Sequence, residues 1–135
     1  ELSMMSLSPL VKNARLAVLA NALDAADSGG LLRIYTGPRP AVGEALTTQT
    51  LLVSLLLPQP CTATLTNGVL TLAPIPTALC QHSGTAVWAR FTDGNGNGVA
   101  DVDVGLTGSG AEVELSTLLL FAGGAVNVTL ATLTE

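Results

Sequence analysis

Two long stretches of this chain carry no formal charge, one between Glu44 and Arg90 and the other between Glu114 and Glu135. Uncharged chain of that length is kept from water by a membrane, by its own fold or by another protein. The second stretch, Leu115 to Thr134, has the length of a membrane span. Gly123-Gly124 interrupts it, however, and Ser116, Thr117, Asn127, Thr129 and Thr132 are spread through it. After Gly124, Val126, Val128 and Leu130 alternate with Asn127, Thr129 and Ala131. Period two is the mark of a strand with one wet face. The stretch reads as sheet, and no membrane partner is expected.

Charged residues make up 11% of the chain, against about 25% in an ordinary soluble domain. Hydrophobic residues reach 48%, which excludes disorder, since disordered chains combine low hydrophobicity with high charge. A length of 135 residues suits one domain with a core of its own. The net charge is −5 with only five Lys and Arg, so there is no basic footprint for nucleic acid. The N-terminus lacks the basic start and apolar block of a signal peptide. Cys61 and Cys80 have neither CxxC nor Cys/His zinc spacing. They read as small buried hydrophobes in a reducing compartment.

Ser8-Pro9 is a helix start, with a hydroxyl to cap an orphan amide and a Pro that has no amide to lose. The helix is expected to run to about Asp27, with Ser28-Gly29-Gly30 ending it. Leu10, Val11, Ala14, Val18 and Ala25 share one side at helical spacing, while Leu16, Leu19 and Leu23 form a second stripe nearly opposite. A helix apolar on two sides is covered on two sides. Leu16, Leu19 and Leu23 are therefore candidates to meet a partner subunit. Leu2, Met4, Met5 and Leu7, ahead of the helix, fit no periodic core pattern, and residues 1–7 read as an arm that lies on a neighbouring protein.

Strands are expected at Leu31–Thr36, Leu51–Leu57, Thr62–Thr66, Val69–Leu72, Thr85–Thr92, Val99–Val104, Val113–Leu119 and Val126–Leu130. Asn67-Gly68 is the sharpest hairpin signal, because both residues tolerate positive φ. Pro74 and Pro76 confine their segment to an edge or loop. The pattern predicts a mainly β fold, an antiparallel β-sandwich or jelly roll with one N-terminal α-helix. Residues 8–135 form that single domain, and the helix occupies 8–28.

Groups that carry chemistry are sparse. Asp93, Asn95, Asn97 and Asp101 fall at positions one, three, five and nine of a calcium loop, with Gly98 at six. Position twelve, where a bidentate Glu belongs, is Val104, and strands flank the loop where helices should. A Gly/Asn-rich hairpin turn explains the same residues. His82 has no second His and no residue to orient it as a base, so it reads as a hydrogen-bonded loop residue. Asp101/Asp103 and Glu112/Glu114 are spaced to share the wet face of a strand. Serving a glycosidase would need aromatic platforms, and the chain has only Trp88, Tyr35, Phe91 and Phe121. Neither enzyme activity nor a cofactor is expected.

The order of segments resembles a family of small head-module proteins of tailed bacteriophages. The resemblance rests on an Ala/Leu-rich helix followed by Gly30-Leu-Leu-Arg-Ile-Tyr-Thr-Gly-Pro-Arg-Pro40 and an apolar strand ending in Leu57-Pro58. Further on come Gly84-Thr-Ala-Val-Trp-Ala-Arg-Phe-Thr-Asp93, Val99-Ala-Asp-Val-Asp-Val-Gly105 and a closing Ala122-Gly-Gly-Ala-Val-Asn-Val-Thr strand. It spans nearly the whole chain from Leu7, and its most specific part is Arg-Ile-Tyr-x-Gly-x-Arg-Pro with Trp-x-Arg downstream. The resemblance implies a capsid cement or decoration subunit on the outer surface of the virion, assembled in the host cytoplasm. Its partners would be the major capsid protein and a second copy of itself, in a homodimer, with Arg39 of the motif a further interface candidate. A tail or head–tail joining subunit is an alternative. So is a calcium-dependent carbohydrate-binding module.

Overall fold

The computed structural model describes residues 6–25, 29–41 and 43–134. The helix α1 spans Pro9–Asp24, and the Ser8 hydroxyl accepts from the Val11 amide at 3.3 Å, as a cap should. It ends at Asp24, short of Asp27, with Ala25 as its C-cap; residues 26–28 lie outside the described part. The strands are β1 (Leu31–Tyr35), β2 (Leu51–Leu56), β3 (Thr62–Thr66), β4 (Val69–Leu72), β5 (Ala78–Leu79), β6 (Gly84–Thr85), β7 (Trp88–Thr92), β8 (Gly98–Leu106), β9 (Val113–Leu115), β10 (Leu119–Leu120), β11 (Ala125–Val126) and β12 (Val128–Thr134).

The molecule is mainly β, an antiparallel-rich sheet curled into a β-sandwich with a single N-terminal helix, as its punctuated alternation predicts. Eight strands run in the order β2-β1-β7-β8-β9-β12-β4-β3, antiparallel except for the β8–β9 pair. Two short ribbons, β10–β6 and β11–β5, lie beside them. Leu32, Ile34, Val53, Leu55, Phe91 and Val113 are fully buried at the centre of the core. The helix packs on β3, β4 and β8 and contributes Leu16, Ala20 and Leu23. At the Asn67-Gly68 hairpin both residues take positive φ, 52° and 75°, and the Gly68 amide donates to Asn13 Oδ1 of the helix at 2.8 Å.

Three of the expected strands are broken. Thr85–Thr92 divides into β6 and β7, because the chain leaves one ribbon and joins the large sheet at Ala86-Val87, whose amides donate to Leu118 and Tyr35 carbonyls. Trp88 and Ala89 then point to opposite faces and are both buried, so the sheet is covered on both sides here. Val113–Leu119 divides in the same way into β9 and β10. The expected Val126–Leu130 strand divides too, with Val126 ending β11 and Val128 starting β12. A bulge between Val128 and Leu130 reverses its alternation, so that Leu130 is exposed while Ala131 and Leu133 face the core in a strand that runs on to Thr134.

Gly30 sits where the helix, β2 and β7 meet. A Cβ there would lie 2.8 Å from the Thr92 carbonyl oxygen and 3.0 Å from that of Leu23, closer than packed atoms approach.

Candidate interaction surfaces

The helix keeps its two apolar stripes, but the expected partner face is the wrong one. Leu16 and Leu23 are buried under the chain's own sheet and Leu19 is half-buried against the same core, so they hold the helix to the domain. The opposite stripe stays in solvent, with Leu10 80% and Val18 66% exposed, and Val11 and Ala14 exposed beside them. Leu7 is half-buried just ahead of the helix. Leu2, Met4 and Met5 lie outside the described residues.

Arg39 belongs to a polar cluster that fastens the long β1–β2 connection to the sheet. Its guanidinium donates to Asp103 Oδ1 at 2.8 Å and to the Asp101 carbonyl at 2.9 Å. Arg90 lies opposite Asp101 in the β7–β8 ladder and donates to both carboxylate oxygens, at 2.7 and 3.1 Å. It also donates to the Glu44 carbonyl, while the Gly43 amide donates to Asp101. Burial works to raise the Asp101 pKa, but the Arg90 bonds, the Gly43 amide and the two arginine charges outweigh it and hold the carboxyl below its usual range. The Asp101 hydrogen bond, joined by its charge, raises the Arg90 pKa despite burial. Arg90 also lies over the Trp88 ring, 5.2 Å from the centroid, and Trp88 stacks on Tyr35 at 4.8 Å. The Trp88 indole N–H donates to the Thr36 carbonyl. The two motif segments quoted above thus converge in space.

Among the four calcium candidates, Asp101 stands apart. The register places it three residues along β8 from the turn, about 10 Å at strand rise, and bound to Arg90. Asp93 closes the loop on itself: Oδ1 accepts from the Asn95 and Asn97 amides at 2.9 Å, and Oδ2 accepts from the Asn97 side chain. Those bonds, led by the Asn97 amide, lower the Asp93 pKa. This geometry makes a hairpin turn with its oxygens already engaged by N–H donors. Among the described residues no group of three His, Cys, Asp or Glu could hold a metal ion.

The carboxylate pairs do not share one wet face as expected. Asp101 and Glu114 are buried, and Asp103 is exposed. Glu114 turns its oxygens onto the Gly108 and Gly110 amides at 3.0 and 2.9 Å, bracing the tight connection between the parallel strands. Sequence spacing shows the shared parity; the turn that folds back over β9 is what removes Glu114 from water. Cys61 and Cys80 are free and buried. Burial, with the charge of Asp24 beside it, pushes the Cys61 thiol up to about 11. His82 is exposed and its Nδ1 lies 3.1 Å from the Leu51 carbonyl.

A second apolar surface was not singled out in the sequence. Residues 78–85 and 119–126 run antiparallel along the two ribbons, and there Leu79 is 67% and Phe121 63% exposed, with Leu119 exposed at the Thr85 end. A cleft of about 110 Å³ opens among Leu119, Phe121, Ala125 and Cys80. Both ribbon segments come from the uncharged stretches, and that is the signal that points to them. A larger cleft of about 250 Å³, between Pro74-Ile75 and β12, is lined by apolar residues, and its Thr129 hydroxyl is already bonded to Thr107 and Glu114.

No protein-family model matches the chain, and no curated protein or solved structure does either.

Proposed function

We propose that this chain is a non-enzymatic structural subunit of a tailed-phage particle, a cement protein that binds the outside of the head shell. The observation that carries the reading is the charge-free apolar ribbon, with Leu79, Leu119 and Phe121 turned to solvent on a sandwich whose core is already complete. Apolar side chains grouped on a surface usually mark a protein contact. The resemblance of the Gly30–Pro40 and Gly84–Asp93 segments to head-module proteins supports the same reading. The major capsid protein is then the partner at the ribbon, and a second copy meets the Leu10, Ala14 and Val18 stripe in a two-fold pair, the commonest closed symmetry. The arm, with Leu2, Met4 and Met5, adds a further contact to the shell. A sugar-binding module is disfavoured because Trp88, Tyr35 and Phe91 are buried, which leaves Phe121 as the single aromatic on display.

Electron cryo-microscopy of purified particles tests this directly. Density for the chain on the outer shell is the expected result, and shells with the Leu79→Ser, Phe121→Ser variant should lose the subunit while the free protein melts as before. Density in the tail or at the neck would replace the cement reading with a joining subunit, and absence from particles would end both.

A further inference from the structure

Two buried side-chain atoms among the described residues have no hydrogen-bond partner, Arg33 Nε and Thr92 Oγ1, and they fall on the same face of neighbouring strands. Strand alternation puts Leu31, Arg33 and Tyr35 of β1 on the face away from the core, with Ser54 and Leu56 of β2 on one side and Trp88, Arg90 and Thr92 of β7 on the other. Arg33 lies directly opposite Ser54 and Arg90, and Thr92 opposite Leu31. The two acids that β8 places on this face are committed elsewhere. Asp101 holds Arg90 and the Gly43 amide, and Asp103 holds Arg39. Arg33 therefore stands beside a second arginine with no carboxylate of its own among the described residues, an arrangement that costs stability in the isolated chain.

Buried donors without partners are rare enough in folded proteins to call for an explanation. We propose that Arg33 anchors a docking face for an acidic side chain of a partner protein. The guanidinium of partly exposed Arg33 takes the incoming carboxylate with the Ser54 hydroxyl beside it, while Thr92, 2% exposed, lies beneath. Leu56, more than half exposed at the sheet edge, and half-buried Leu31 supply the apolar rim against which the stem of a Glu or Asp packs. Charge complementarity selects the occupant: the face offers an unpaired cation in a chain of net charge −5, so the missing group is an anion from outside. The face is separate from the apolar ribbon, and its test needs no particle.

The probe is an acetylated, amidated Leu-Glu-Leu peptide, with Leu-Gln-Leu and plain acetate as comparisons, titrated into ¹⁵N-labelled protein. Chemical shifts are read at Arg33 Nε–H and at the amides of Ser54 and Thr92. The Glu peptide should move all three signals, the Gln peptide should bind about tenfold more weakly, and Arg33→Gln should abolish the response. No shift, or equal response to both peptides, overturns the proposal. Acetate binding as tightly as the Glu peptide would make this a small-carboxylate site, and a dimer lost on Arg33→Gln would make the occupant a second copy; either result overturns it too. Arg33→Met gives an independent reading in the free protein. Its melting temperature should equal or exceed that of the unaltered chain, whereas a fall of more than about 5 °C would show that Arg33 is tied within its own fold.

Discussion

At Asp101 two arginines meet one residue, Arg90 on the carboxylate and Arg39 on both the Asp101 carbonyl and neighbouring Asp103. The folded-state pKa of Asp101 is lowered, so its contribution to stability is complete above the ordinary carboxyl value of about 3.9 and is lost as pH falls through the lower native one. Asp93 shifts in the same direction. Melting temperature should therefore hold from neutrality to about pH 4 and drop below it. Asp101→Ala should cost about 3 kcal/mol at pH 7, because it leaves the Arg90 guanidinium half-buried without its acid, and it should flatten the acid limb. Chemical denaturation of both proteins across pH checks this. Cys61 works at the other end of the scale. Its pKa is raised from 9.0 to about 11, so the stability it contributes is present below pH 9 and is lost as pH rises toward 11. Cys61→Ala should remove part of the alkaline drop in melting temperature, and the native thiol should resist alkylation at pH 8.

Among the elements, the junction at Gly30 is the tightest. The two atoms that a Cβ would strike are both main-chain carbonyls, which cannot rotate away, and Gly30→Ala should lower stability by about 2 kcal/mol through strain at the helix–sheet corner. Ser8→Ala, which removes only a cap, should cost about 1 kcal/mol. Urea midpoints measured side by side should rank the two in that order. The cap and the Asn67-Gly68 turn were legible in the sequence because each depends on residues within a few positions of one another. Much of the candidate surface was not legible. The sequence shows two apolar stripes on α1, but which one is covered depends on the placement of β3 and β4, whose residues begin some forty positions later. Asp101 has calcium-loop spacing, and only the β7–β8 register reveals that it faces Arg90. The isolation of Arg33 likewise arises from a pairing of strands far apart in the chain.

For the whole molecule, the exposed stripe of α1 bears on assembly. If Leu10, Ala14 and Val18 meet their copies across a two-fold axis, sedimentation should find a dimer at micromolar concentration and Val18→Asp should return a folded monomer. A monomeric unaltered chain at that concentration would remove the two-fold pair from the proposed assembly. The strand order carries a consequence of another kind. β12 lies between β9 and β4, so it is the piece that joins the helix-bearing β3–β4 hairpin to the rest of the sheet. On a ribosome, every strand before it can emerge and still leave the sheet in two parts. Completion of the fold therefore waits for residues 128–134 to clear the exit tunnel, and until then the apolar edges of β9 and β4 are open to whatever binds nascent chains. A chain stalled just short of Val128 should remain bound by chaperones and sensitive to protease, and one extended past Thr134 by a tunnel-length linker should be resistant.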